Sequence, residues 1–127
     1  MRIALDTNRY SDLSRGDAAV MDTLQDAAAI YVPFMVIAEL RSGFLAGTKQ
    51  RENERALRLF LSRPGVEVLY PDDGTTREYA VIFEQLRQKG RPIPTSDIWI
   101  AALVLQHALV LYARDKHFDE LPQIPRL

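Results

Sequence analysis

The sequence has no cysteine and only two histidines, His107 and His117. The first absence excludes a disulfide framework and any thiolate metal site, and it fits a reducing cytoplasm. The second makes a zinc centre a poor fit, because such sites draw on several His or Cys ligands. No apolar run approaches the roughly 20 residues that cross a bilayer. The opening "MRIALD" meets an acid too soon to be the apolar region of a signal peptide. A soluble, cytoplasmic protein with no membrane partner is therefore expected. An excess of charge is also missing: the formal net charge is −1, so there is no global attraction to nucleic acid, and any such binding has to be local. What remains is an ordinary globular composition, 47% hydrophobic and 26% charged over 127 residues. That length closes one hydrophobic core without staples.

Hydrophobic periodicity places the elements. "RIAL" is a short apolar run ending at Asp6 and reads as a first strand. "SDLSRGDAAVMDTLQDAAA" has helical spacing in Leu13, Val20 and Leu24, with a break at Gly16. "IYVP" is a second strand, and its Pro33 suits the start of a helix over 34–45. "GTKQRENERALRLFLSR" sets Leu57, Phe60 and Leu61 on one side and Arg51, Arg55 and Arg58 on the other. "VEVLYP" is a third strand, and "DDGTTREYAVIFEQLRQKG" is an amphipathic helix stopped by Gly90. After the proline-bounded "RPIPTSD", Thr95 or Ser96 is placed to cap "DIWIAALVLQHA", and "LVLYARD" is a fourth strand before a proline-containing tail. The alternation predicts an α/β fold, a three-layer α/β/α sandwich with a mostly parallel central sheet, as a single domain over residues 1–127.

Four acids stand out on that frame. "VPFMVIAEL" is apolar except for Glu39, and an unpaired carboxylate in apolar surroundings costs several kcal/mol or gives up its charge. Asp6 follows the first strand, Asp115 follows the last, and Asp97 opens the helix after "PTS". Ligands of open α/β sheets sit beyond the carboxyl ends of the strands, and parallel strands bring all of these acids to that edge. No lysine or arginine lies inside the apolar runs that carry Asp6, Glu39 and Asp97. Hard divalent cations compensate such a cluster, and an all-oxygen set selects Mg²⁺ or Mn²⁺ over zinc, as one ion or two. A metal-loaded acidic cup attracts a phosphate that the bare cup repels, which points to phosphodiester hydrolysis by metal-activated water. Taken singly, each aspartate also reads as a turn former, a first-turn acid or an N-cap.

The motifs "IALDTN", "VIAEL" and "PTSDIWIAALVLQHALVLYARDKHF", in this order, resemble PIN-domain ribonucleases, and in particular the VapC toxins of bacterial VapBC toxin–antitoxin modules. The resemblance runs nearly end to end. It implies an acidic quartet at Asp6, Glu39, Asp97 and Asp115, holding Mg²⁺ or Mn²⁺ mainly through Asp6 and Asp97, with Asn8 helping to orient the acids. It also implies an endoribonuclease acting on structured RNA such as tRNA or rRNA, a homodimer, and inhibition by a VapB-type antitoxin. One position departs from the pattern. Many relatives carry Thr or Ser two residues before the last acid, where this chain has Ala113, and Thr7 or Ser96 is the available substitute hydroxyl.

Other residues carry weaker signals. Arg9, Arg41, Arg114 and Lys116 lie near the proposed acids and either steer RNA or antitoxin or pair with those acids. The Arg51, Arg55 and Arg58 stripe is interrupted by Glu52 and Glu54 and reads as a solvated face. His117 reads as structural, since a metal-bound water needs no histidine; His107 reads as core or near-surface and Trp99 as packing. Phe44, Leu45 and Phe60 are core or an apolar groove for a partner peptide. Two rivals stand against the nuclease. A phosphoryl receiver domain needs an acidic pair after its first strand, and here Asp6 is followed by Thr7. A catalytically silent PIN domain, binding RNA or a partner without cutting, is the alternative that Ala113 leaves open.

Overall fold

The short strands form from apolar and β-branched runs that are mostly buried, as a helix-covered parallel sheet requires. A computed structural model describes residues 1–127. Its strands are β1 (Arg2–Leu5), β2 (Ala29–Pro33), β3 (Val66–Leu69) and β4 (Val110–Tyr112). Two helices follow each of the first three: α1 (Thr7–Ser14) and α2 (Ala18–Gln25), α3 (Phe34–Ala46) and α4 (Gln50–Leu61), then α5 (Asp73–Lys89) and α6 (Thr95–Gln106). A short 3-10 helix, Lys116–Glu120, comes after β4. The sheet order is β3-β2-β1-β4, and every pairing is parallel, so the expected mostly parallel sheet is wholly so.

That order determines where a ligand can sit. The chain steps from β1 to β2 to β3 in one direction and then crosses back to β4 on the far side of β1. Right-handed crossovers therefore put α1 to α4 on one face and α5 and α6 on the other. The direction reverses between β1 and β4, and a crevice opens there beyond the carboxyl ends of both strands. Leu5 pairs with Tyr112 across it, and the Asp6 N–H donates to the Tyr112 carbonyl at 3.2 Å.

The core is one cluster of 32 buried apolar residues. α6 contributes most, with Ile98 and Ile100 to Val104 all buried, so Asp97 is fixed on a helix that cannot rotate without exposing its core face. α5 is started by a capping box between Asp72 and Thr75 and closed by Gly90 in the left-handed conformation, φ 66°. No helix is long and apolar enough to cross a membrane.

Local differences from expectation have simple causes. α1 begins at Thr7, directly after the strand, with Asp6 in its N-cap position, rather than at Ser11. The break at Gly16 is real, with φ 81° after the last turn of α1. Pro94, not Thr95 or Ser96, is the N-cap of α6, and no side chain caps that end; proline's preset backbone enters the helix unaided. The tail after "LVLYARD" is not loose: Leu111 N–H donates to Pro125 O at 2.8 Å and Leu127 N–H to Leu111 O at 3.0 Å, so residues 125–127 run parallel beside β4.

Candidate active site

Asp6 directly follows β1 and is 5% exposed; Asp97 sits in the first turn of α6 and is 7% exposed. Burial raises the carboxyl pKa of Asp6 from 3.8 to about 6, opposed by the Thr7 backbone N–H and reinforced by the charges of Asp97, Glu39 and Asp115. Asp97 is likewise raised by burial, partly offset by His117, with Asp115 and Glu39 again adding repulsion. The structure thus brings all of these acids into one electrostatic unit. Asp115 is the N-cap of the 3-10 helix, where its Oδ1 accepts the His117 N–H at 2.9 Å.

Glu39 corrects the argument that first drew attention to it. It is exposed, not buried in the apolar run, because Ala38 and Glu39 form the solvent side of α3 while Val36, Ile37 and Leu40 face inward. Its carboxylate is nonetheless positioned: Thr7 Oγ1 donates to Glu39 Oε2 at 2.8 Å. Thr7 therefore does not replace the hydroxyl missing at Ala113. Asn8, half-buried beside it, makes no side-chain hydrogen bond to the acids.

No lysine or arginine lies within ion-pair distance of Asp6, Glu39, Asp97 or Asp115; the single partner is His117. Its Nδ1 stands 2.8 Å from Asp97 Oδ2 and 3.1 Å from Asp115 Oδ1. Carboxylate oxygens only accept, so this nitrogen carries a proton, and the bond to Asp97 raises the pKa of the imidazole above 6.5. The ligand atoms of Asp97, Asp115 and His117 lie within 4.8 Å of one another, a spacing that fits a cation. His117, read from sequence as structural, thus belongs to the site. The available signal was the Asp-x-His spacing at a helix start, which folds the imidazole back onto the capping acid.

The basic residues near the acids are committed elsewhere. Arg114 makes a two-point contact with Asp12, at 3.1 and 3.2 Å, and Arg15 and Arg9 add bonds at 3.0 and 3.4 Å. Arg9 also stacks over Tyr112, 4.7 Å from the ring centre, with its Nε buried and unpartnered. Arg41 makes a two-point contact with Glu54, which Arg58 shares. These arginines do pair with acids, but with acids outside the quartet. Lys116 is exposed and has no ion-pair partner. Sequence inspection missed Asp12, whose buried carboxylate holds three arginines and whose pKa is lowered by them, Arg114 first. Replacing Asp12→Ala removes a carboxylate shared by three arginines, of which Arg15 and Arg114 remain solvated, and is expected to cost about 1 kcal/mol of stability, read by urea unfolding. A loss within a few tenths would mean the cluster is only a solvated surface group.

On the far side of α1 and α4, an apolar cavity of about 600 Å³ is lined by Tyr10, Leu24, Ile30, Leu59 and Phe60. Phe60 therefore serves both readings, as a core residue and as a groove wall. Phe44 packs against the core, and Leu45 is 69% exposed, away from the groove.

The PIN domain family model matches residues 3–124. Ribonuclease VapC1 of Haemophilus influenzae is 34% identical over 96 residues, covering 75% of this chain and 70% of that protein. Ribonuclease VapC5 of Mycobacterium tuberculosis is 30% identical over 117 residues, covering 92% and 85%. Among solved structures, VapBC-1 from nontypeable Haemophilus influenzae superposes with a TM-score of 0.88 at 26% identity, covering 100% of this chain and 97% of that one. A parallel sheet with an acidic crevice at its reversal point, a family model spanning nearly the whole length and relatives of this identity agree: the chain belongs to the PIN-domain family, among the VapC proteins.

Proposed function

We propose that the chain is a metal-dependent endoribonuclease toxin that cuts structured RNA such as tRNA or rRNA and is neutralised by a cognate VapB-type antitoxin. The observation that carries this reading is the charge imbalance of the crevice. Two buried carboxylates, Asp6 and Asp97, share it with Glu39 and Asp115, and the only balancing group is one imidazole. Oxygen donors with at most one nitrogen suit Mg²⁺ or Mn²⁺, bound as one ion or two. Asp6 and Asp97 would hold the ion directly, and Glu39 and Asp115 would complete the site. When bound, such an ion lowers the pKa of a coordinated water and neutralises charge developing on the phosphate.

The chain's own residues have separable tasks here. Asp6 and Asp97 are held in place by the end of β1 and by the buried α6. Thr7 fixes the rotamer of Glu39, and the N-cap geometry fixes Asp115. His117 stabilises the bare acids and can release a proton when the acids are neutralised otherwise. Lys116, exposed, next to Asp115 in sequence and without an ion-pair partner, is suited to an RNA phosphate. Arg9, Arg41 and Arg114 are engaged by Asp12 and Glu54 and would contact RNA or antitoxin only at the cost of those pairs.

The apolar cavity beside Phe60 supports the antitoxin reading, because it offers a partner helix or strand an apolar seat away from the acids. Phe83, exposed on α5 and stacked on Tyr79, which in turn packs against Trp99, offers an apolar edge for a homodimer. The test is direct: purified protein with Mn²⁺ should cleave tRNA or rRNA at discrete sites, and a chelator should stop it. Binding of RNA without cleavage in Mn²⁺ and Mg²⁺ alike would leave a silent binding module instead.

A further inference from the structure

We infer that Arg126 is a positioning residue for Asp115, supplying through the backbone what the missing hydroxyl at Ala113 does not. The inference rests on the nuclease reading of the crevice and extends it to a residue in the C-terminal segment.

The segment between β4 and the 3-10 helix carries Asp115, whose N-cap bond to the His117 N–H holds one carboxylate oxygen but not the backbone that leads into it. Ala113 has only a methyl group, and the Arg114 guanidinium is turned away to Asp12. What holds the segment from the other side is one guanidinium. Arg126 Nη2 donates to the Ala113 carbonyl at 3.1 Å and to the Asp115 carbonyl at 2.9 Å. Its Nη1 bonds Asp119 in the 3-10 helix, and the guanidinium carbon lies 5.9 Å from the centre of the Phe118 ring. Arg126 is itself fixed, since the backbone bonds of Leu111 to Pro125 and Leu127 place it beside β4, and the nearby Ile124 is buried in the core. The two carbonyls belong to the 113–114 and 115–116 peptides, so one NH2 group of the guanidinium ties down the peptide planes on either side of the Arg114–Asp115 pair. This orients the Asp115 carboxylate toward His117 and Asp97. A lysine ammonium can reach the two carbonyls or Asp119, but it lacks the second, spaced nitrogen with which the guanidinium holds both.

The experiment compares the full-length wild type with Arg126→Ala, Arg126→Lys, Asp115→Asn and the double variant Arg126→Ala/Asp115→Asn. Mn²⁺ affinity is measured by electron paramagnetic resonance, and hydrogen exchange of the His117 amide, which donates to Asp115 Oδ1, by NMR in metal-free buffer. Arg126→Ala is expected to weaken Mn²⁺ binding about tenfold, in the range typical of groups that orient a metal ligand. In the Asp115→Asn background the same change is expected to add almost nothing, because Arg126 acts through that carboxylate. The His117 amide is expected to exchange faster in Arg126→Ala. Arg126→Lys, which keeps the charge and protects against a failure to fold, should restore only part of the affinity.

A further full loss of affinity in the double variant would show a general structural role and overturn the inference, as would an unchanged His117 amide in Arg126→Ala. Wild-type protein that takes up no Mn²⁺ would defeat the nuclease reading itself. The amide exchange then decides the clamp alone, faster exchange upholding it and unchanged exchange overturning it.

Discussion

Asp6→Asn is expected to abolish RNA cleavage, a loss of at least about a thousandfold, and at the same time to raise the melting temperature of the metal-free protein. The two effects have one cause. Asp6 is buried at the end of β1, and its folded pKa of about 6 lies above the ordinary 3.8. A carboxyl whose pKa is raised by folding costs nothing while protonated and destabilises the fold once ionised. The cost is therefore absent below pH 3.8, grows up to about pH 6 and is full at neutrality, where it amounts to roughly 3 kcal/mol in the metal-free state. Asparagine keeps the shape and is never charged, so it removes most of that cost together with the negative charge that the proposed metal ligand would supply. Thermal unfolding in chelator near neutral pH should show a gain of several degrees, vanishing by about pH 4. A variant less stable than wild type under those conditions would mean that Asp6 is not strained by burial. A variant that still cut RNA would remove Asp6 from the reaction.

The apolar surroundings of the acids also decide which parts of the site could be read from sequence. Asp6, Asp97 and Asp115 interrupt or border apolar runs, and a strand or buried helix that ends on an acid gives its placement away through local pattern alone. Glu39 was singled out for a burial it does not have; Val36, Ile37 and Leu40 are buried, and the periodicity of α3 sets Glu39 on the opposite side. The direction of the sheet was legible from the βααβ alternation. The order β3-β2-β1-β4 was not, because no local signal tells β4 to return beside β1. The least legible features are the long-range pairs. Asp12 and Arg114 are 102 residues apart, and Thr7 and Glu39 are 32 apart. Such pairs depend on which strand ends become neighbours, and neither partner's sequence environment signals it. The same holds for Arg126, whose role appears only when residues 125–127 lie beside β4.

A divalent cation should stabilise the protein much more at about pH 7.5 than at about pH 5, and its uptake should release protons. Three groups set the sign. Asp6 and Asp97 both have raised pKa values, so protons compete for their oxygens as the pH falls toward and below about 6. One unit below the pKa of Asp6, that competition alone weakens binding about tenfold. His117 works in the opposite sense in the metal-free protein. Its pKa is raised by Asp97 and Asp115, so its contribution to stability is full below 6.5 and is lost as the pH rises through its higher folded value. Across neutrality the metal-free crevice therefore loses the imidazolium while keeping ionised acids, and there a cation has the most to contribute. At a concentration about 100 times its Kd, the ion adds about 2.7 kcal/mol, or several degrees of melting temperature. Calorimetry in buffers of different ionisation enthalpy would count the protons released, and melting with Mn²⁺ or chelator at both pH values would give the stability difference. Equal stabilisation at the two pH values, with no proton released, would mean that the ion binds somewhere other than among Asp6, Asp97, Asp115 and His117.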